Sequence, residues 1–483
     1  MKKDKKLALA RVNYSQLYSV YDNGKTYKDR DILAPYQLLT LAAYVRDSLC
    51  DVKLFDGEID LDSQPSLAKK ILDWNPDVVG LTATTPDIDY CIDVCDIVKA
   101  HNDSIVTVIG GPHASALPDS VASNPSVDYV VVGDGEEPLK NILTYGKKIK
   151  DKIIVGENQN VNLLPMPSHD LVDYNLYQFS DPHRGRMNTA SVMSSRGCPF
   201  KCNFCFHNRC LRYKSVNDFI LEIKYLYEQK DVRYFYVYDD TFLINKKRIL
   251  KIIDGIRLLS IDDAHFQCLT RGNLVDDNLI EKLCEVNFVR VSMGIESGSD
   301  EILRAAEKGV TKKDYFSACK VLHKHGIETR GSFIIGHPYE TEETIKQTID
   351  FSKELELYHA NFNIMTPYPG TEIYNMALNG KGIYFVNPEY AHKWDTYRRW
   401  GTSVIKTDSL SEDNLEFYQK EAQTDFYTQD KIYNYYYGLF KEGNTSKYFY
   451  RPINFAWNRK YSKNIDFWDK LGNEKIVDVG DNE

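Results

Sequence analysis

Two long runs of alternating strand and helix signals, separated by a short proline-marked break, constrain this chain more than its overall composition does. In the first run, β-rich stretches at 7–12, 52–55, 78–82, 105–109 and 129–132 are separated by amphipathic segments such as 35–49 and 90–100. Strict alternation predicts an α/β fold with a doubly wound, Rossmann-like parallel sheet. The alternation resumes at 190–193, 234–238, 266–270, 288–293, 329–335 and 361–365, and six strand-helix repeats predict a partial (β/α)6 barrel. Between the runs, the polar stretch 156–162 followed by Pro165 and Pro167 has linker composition. The expected organisation is a sheet domain over 1–150, a linker over 151–185, a barrel over 186–385 and a mainly helical, aromatic-rich tail over 386–483.

Ligands of open parallel sheets lie across the carboxyl ends of the strands, so the residues after each strand carry the functional information. Here they read Thr82-Ala83-Thr84-Thr85-Pro86, Gly110-Gly111-Pro112-His113 and Gly133-Asp134-Gly135-Glu136. A single glycine turn has a backbone explanation, because tight turns need residues tolerant of positive φ. Three small or polar turns on one sheet edge, two of them glycine-bearing, point to a bulky ligand approached closely by backbone.

The first barrel strand is followed by Arg196-Gly-Cys-Pro-Phe-Lys-Cys-Asn-Phe-Cys-Phe-His207, with Cys198, Cys202 and Cys205 close together. Three thiolates on one loop hold three irons of a cubane cluster and leave the fourth iron open. With His207 or Cys210, the same cysteines also make a tetrahedral zinc site. Barrel enzymes carry their chemistry on loops at the carboxyl ends of strands, and that placement favours the cluster.

Most of the remaining cysteines are scattered, as in a reducing compartment, and Cys91 with Cys95 on one helix face reads as burial. The apolar run 7–10 is shorter than a secretory core, and no stretch approaches the roughly 20 apolar residues of a membrane span. The expected location is the cytoplasm. A net charge of −9 and a pI near 5.8 argue against a nucleic-acid surface, and 43% hydrophobic residues exclude wholesale disorder.

The cysteine spacing after Gly197, with aromatic Phe206 following, resembles the cluster loop of the radical S-adenosylmethionine (SAM) enzymes. The Gly-Gly-Pro-His and Gly-Asp-Gly-Glu turns resemble the cobalamin-binding domain that precedes the radical SAM core in one large subfamily. The resemblance covers about residues 5–375. It implies a 4Fe-4S cluster on Cys198, Cys202 and Cys205 whose open iron chelates SAM. Phe204, Asp240, Arg271 and Glu296 are then the expected SAM contacts. Asp240, with Asp239 as the neighbouring alternative, faces the ammonium, Arg271 a carboxylate and Glu296 the ribose hydroxyls. It also implies cobalamin against Thr82, Thr84, Gly110, Gly111, Pro112, Gly133, Gly135 and Glu136.

Two departures stand out. The family's Asp-x-His-x-x-Gly turn reads Asp56-Gly57-Glu58-Ile59-Asp60, so cobalamin without a histidine ligand is expected, and His113 is expected to pack its turn. In Gly336-His337-Pro338-Tyr339-Glu340-Thr341, Tyr339 stands where the family usually has glycine, and Thr341 is read as a helix cap before Glu342 and Glu343.

The implied activity is that of a cobalamin-dependent radical SAM methyltransferase, in which the cluster cleaves SAM and methylcobalamin methylates an unactivated carbon. Oxidation, cyclisation or ring contraction with the same cofactors is the alternative, and a zinc-bearing cobalamin or metal sensor is a third reading. The implied partners are a small-molecule substrate and a low-potential donor such as flavodoxin or ferredoxin. Tyrosines including Tyr427, Tyr433, Tyr435, Tyr436 and Tyr450 tilt the substrate toward the hydrophobic. The basic aromatic stretch 447–463 reads as packing against the barrel, with a membrane surface as its alternative.

Overall fold

Strands that are apolar on both faces need helices on both faces, and the first part of the chain supplies them. The computed structural model describes residues 5–13, 32–46, 49–181, 184–428 and 431. Strands β1 (Lys6–Arg11), β2 (Asp51–Asp56), β3 (Val78–Thr82), β4 (Val106–Gly110), β5 (Tyr129–Gly133) and β6 (Ile153–Gly156) form one parallel sheet in the order β2-β1-β3-β4-β5-β6. One face, with Ala8, Val79 and Ile109, packs on the helices Gln64–Asp73 and Ile88–His101, where Cys91 and Cys95 are fully buried as expected. The other, with Leu9, Val108 and Val131, packs on Tyr36–Arg46 and Glu136–Tyr145. Strand order reverses between β1 and β3, which opens a crevice at their carboxyl ends.

The second unit begins with β7 (Gln178–Asp181) and β8 (Gly185–Val192), followed by a two-stranded ribbon, β9 (Ser195–Arg196) and β10 (Arg212–Tyr213). Then come β11 (Tyr234–Val237), β12 (His265–Thr270), β13 (Phe288–Glu296), β14 (Glu328–Ile335) and β15 (His359–Ile364). The sheet order is β15-β14-β13-β12-β11-β8-β7, with six parallel strands as predicted and β7 antiparallel at the edge. The stretch read as a linker thus contributes a strand to each sheet. Both strands, β6 and β7, are four-residue edge strands, too short to leave a period in the sequence.

Residues 386–428 differ from the helical tail expected of them. The strand β16 (Ile383–Phe385) pairs with β17 (Ile405–Thr407), short turns intervene, and one helix follows at Glu412–Phe426. That helix covers the open edge of the half-barrel. Gln419 donates to the Phe362 carbonyl at 2.9 Å, and the Tyr427 hydroxyl accepts from the Ala360 amide at 3.2 Å. Satisfying an edge strand in this way keeps it from pairing with another chain. The other tail tyrosines and the basic stretch 447–463 lie outside the described residues. Among the described residues, no helix is long and apolar enough to cross a membrane.

The two units are packed on each other. Ile32, Ala34, Leu39 and Ile59 join the barrel core, while Trp394 and Tyr397 return to the core of the first sheet. A buried polar knot adds to this: Glu222 accepts from Lys214 at 2.5 Å and meets His169 at 3.0 Å and Tyr36 at 3.4 Å. Burial alone would raise the Glu222 carboxyl, yet Lys214 and His169 hold it below its usual range.

Tyr339 adopts the left-handed φ of +66° that glycine would adopt there, and Thr341 caps the helix Glu342–Glu354. Toward the amino ends of the barrel strands, fully buried Arg290 donates to Glu328 at 2.8 and 2.5 Å and to Asp181 and the Tyr234 hydroxyl, both at 3.1 Å. Replacing Arg290 with methionine leaves these carboxylates undercompensated and is expected to cost about 3 kcal/mol. Urea denaturation of the variant reads it, and an unchanged midpoint would contradict the stabilising role given to Arg290 and its carboxylate partners.

Candidate active site where the two sheets meet

The cysteine loop leaves the barrel after β8 and is pinched at its neck, where β9 pairs with β10 through Arg196 with Arg212 and Ser195 with Tyr213. Gly197 turns the chain at φ +89°, and a Cβ there would collide with the Cys210 carbonyl and stand 2.8 Å from that of Asn208. The Cys198 amide donates to the Asn208 carbonyl at 2.9 Å and the Cys205 amide to that of Cys202 at 3.2 Å. Cys202 is buried, Cys198 half-buried and Cys205 exposed.

Asp239 accepts from the Ser194 amide at 2.6 Å, the Ser194 hydroxyl at 2.7 Å and the Ser195 hydroxyl at 2.5 Å, and burial pushes its carboxyl up. Asp240, beside it, is exposed and takes the Gly197 amide. The two acids therefore differ. Asp239 is committed to holding the loop, and Asp240 presents its carboxylate outward.

Arg271 is 5% exposed, lies 3.8 Å over the Phe200 ring and donates to the Cys202 sulfur at 3.5 Å. It is a buried arginine on the cysteine loop, not a surface one. Register slips between β13 and β14 at Glu296, whose φ of +71° takes it out of the strand's alternation. There it pairs with Lys308 at 2.7 Å, both side chains 8% exposed. Burial would lower the Lys308 ammonium, but Glu296 holds it above its ordinary range. Phe204 lies edge-on to His337 at 5.9 Å and 5.7 Å from the Lys308 ammonium. Glu340 accepts the Gly336 and His337 amides, and burial pushes its carboxyl up to about 8.

On the first sheet, Thr82, Gly110 and Gly133 end or follow the adjacent strands β3, β4 and β5. Gly111, at φ +99°, packs so tightly that a Cβ would stand 2.7 Å from the Ala83 carbonyl and 2.8 Å from the Thr82 hydroxyl. Gly133, at φ +81°, is held as tightly against Gly156, and a Cβ on Gly135 would sit 3.2 Å from Leu41. These glycines are required by the chain's own close packing. Pro112 opens the short helix Pro112–Ala116, and Thr84 is tied by amide and hydroxyl to Asp87 at 2.6 and 2.8 Å. His113 meets Thr85 at 3.2 Å and lies edge-on to Trp394 at 4.9 Å, with burial lowering its imidazole to about 4. Glu136 is 2% exposed and accepts from Arg196 at 2.7 Å.

The residues fit the expected cofactors. Among the described residues, buried side-chain atoms without a hydrogen-bond partner include Glu136 Oε2 and His113 Nε2 on the first sheet. On the barrel they include Thr270 Oγ1, Arg271 Nε, both nitrogens of His337 and Glu340 Oε1. Buried polar groups are normally satisfied, so orphans concentrated at carboxyl strand ends mark places where bound groups complete them. Among the described residues no three His, Cys, Asp or Glu side chains converge on one ion, which a mononuclear zinc site requires. A cubane asks something different, one thiolate for each of three irons.

Residues 192–352 match the radical SAM superfamily and residues 29–143 the B12 binding domain. An uncharacterized methyltransferase of Pyrococcus horikoshii is 32% identical over 422 residues, spanning 82% of this chain and 88% of the relative. The anaerobic magnesium-protoporphyrin IX monomethyl ester cyclase of Rubrivivax gelatinosus is 26% identical over 405 residues, 79% of this chain and 71% of the cyclase. The cobalamin-dependent SAM radical enzyme OxsB, solved with aqua-cobalamin and SAM bound, shares the fold at a TM-score of 0.71 and 17% identity, over 95% of this chain and 72% of OxsB. The chain belongs to the radical SAM superfamily, in the group that carries a cobalamin-binding domain ahead of the radical SAM core. Its cofactors are a 4Fe-4S cluster, SAM and cobalamin.

Several groups in this geometry were not singled out from the sequence, among them Arg196, Lys308 and His337. Arg196 and His337 stand inside motifs already quoted, whereas Lys308 lies 12 positions from Glu296 and carried no such signal. Gly197→Ala is expected to lower iron and acid-labile sulfide per chain well below wild type, with the far-ultraviolet circular dichroism unchanged. Wild-type iron content in that variant would show that the turn tolerates a side chain.

Proposed function

We infer that the chain is a cobalamin-dependent radical SAM methyltransferase acting on carbon. The observation that carries this is the meeting of the cysteine loop with the glycine-turn edge of the first sheet, at Arg196 and Glu136. When bound, the cluster with SAM supplies a hydrogen-abstracting radical and cobalamin supplies the methyl group; the protein orients them and excludes water.

The chain's own residues divide that work. Cys198, Cys202 and Cys205 would hold the cluster, and Arg271 directs an N–H at the Cys202 sulfur. Asp240 takes the SAM ammonium by a charge-assisted contact. Glu296, steadied by Lys308, would meet the ribose hydroxyls, and Phe204 would be a further SAM contact. Thr82, Thr84, Gly110, Gly111, Pro112, Gly133, Gly135 and Glu136 line the cobalamin edge. The turn at Asp56 has no histidine to offer cobalt; its Asp56 carboxylate is taken by Arg11 at 2.9 and 2.6 Å and by the Tyr177 hydroxyl at 2.8 Å. The substrate is a small molecule, hydrophobic in character, and a low-potential donor such as flavodoxin or ferredoxin delivers the electron.

The relative named as a cyclase supports a second reading, radical cyclisation or oxidation without methyl transfer. Anaerobic incubation of the loaded protein with SAM and reductant, followed by mass spectrometry, separates the two. 5′-Deoxyadenosine together with S-adenosylhomocysteine is expected; deoxyadenosine alone would favour the second reading. Cys202→Ala is expected to abolish deoxyadenosine, and its persistence would sink the cluster assignment.

A further inference from the structure

The neck of the cysteine loop is tied to the first sheet by four charges, one of which, Glu136, also stands on the proposed cobalamin edge. Arg196, just ahead of Cys198, donates to Glu136 at 2.7 Å and stands 3.5 Å from Asp134. Arg212, paired with it across the ribbon, donates to Asp134 and to the Gln159 carbonyl at 3.0 Å. Asp134 also accepts the Gln159 amide at 2.9 Å, which fixes the carboxylate from the other side. Both acids belong to the turn after β5 and both arginines to the ribbon that carries the cysteines.

These side chains are largely out of water: Glu136 is 2% exposed, Arg212 12%, Asp134 13% and Arg196 21%. Desolvation offsets most of the attraction in such pairs, so they add little net stability while strongly favouring one arrangement of their partners. The loop also meets the first unit at a second point. A Cβ on Gly370 would stand 2.6 Å from the Phe206 ring and 3.2 Å from Ala116, so the turn after β15 brings loop and first unit together. Two separate contacts define the orientation of a loop, where one would leave it free to pivot.

We propose that Asp134, Glu136, Arg196 and Arg212 are positioning residues that set the separation of the cluster from cobalamin. The proposal rests on the cofactor reading above. The orphaned Glu136 Oε2 adds a route of coupling, because a group that engages it acts on the same carboxylate that holds Arg196. Coupling of this kind is reciprocal: occupancy of the sheet edge steadies the loop, and an ordered loop favours occupancy.

The test is the distance between the reduced cluster and Co(II) cobalamin, measured by pulsed dipolar electron paramagnetic resonance in the fully loaded protein. At saturating cofactor, so that iron and cobalt contents match wild type, and with circular dichroism unchanged, Arg196→Gln is expected to broaden and lengthen that distribution, and Arg196→Lys to restore it in part. Asp134→Asn, which keeps the turn's shape, serves if the first variant fails to fold, and is expected to broaden the distribution less. A wild-type distribution in both variants at full occupancy overturns the proposal. Failure of the cofactor reading looks different, since the wild-type protein would then take up no iron or no cobalt. In that case hydrogen exchange over 195–213 decides: faster exchange in Arg196→Gln supports the clamp, and unchanged exchange overturns it.

Discussion

Carboxylates on two sides of one loop are the contacts on which this site depends. Asp239 grips Ser194 and Ser195 from the barrel, and Asp134 with Glu136 grips Arg196 and Arg212 from the first sheet. Between them lies a neck of four paired residues, and everything the cysteines do is referred to that neck. A loop of this length has no core of its own, and loops owe their precision to the scaffold that grips them. Here the scaffold is two sheets, so the cluster is positioned by both units at once.

Polar groups at the two ends of the barrel are used differently, although buried open atoms also occur elsewhere, His265 Nδ1 and His359 Nδ1 among them. Toward the amino ends, Arg290, Asp181, Glu328 and Tyr234 satisfy one another. At the carboxyl ends, Thr270, Arg271, His337 and Glu340 carry buried atoms that the chain leaves open. Leaving such groups unmade costs on the order of 1–3 kcal/mol each, which a fold sustains where a bound group completes them. The carboxyl edge is thus strained by design of the sequence, and the satisfied charges below it hold the strands that carry it.

The positions of most core strands were readable in the sequence, because parallel strands are apolar throughout and their helices keep a helical period. The strands missed there are short: β6 and β7 are edge strands of four residues, and β9, β10, β16 and β17 have two or three, where no period can develop. The cysteines and strand-end motifs were readable because their spacing is local. The ion pairs were not: Arg196 and Glu136 are separated by 60 positions, and nothing at either one names the other. Glu136 shows the consequence. Its motif marked it as a cofactor contact, and the structure adds a second partner, Arg196, that only the fold could supply. Tyr339 shows the converse, since a residue that seemed to alter a turn instead adopts the glycine-like φ of +66° and keeps its shape.

Relatives named for methyl transfer and for cyclisation both align along most of this chain, so the shared strands and cysteines do not by themselves select the outcome. Selection falls to what meets the substrate radical first, and that is a matter of distance. A substrate radical formed beside the cluster would take a methyl group only if the methyl donor stood within reach of it. Arg196 and Glu136 join the cysteine loop to the edge of the first sheet, so the residues proposed above to set that spacing also bear on which reaction follows.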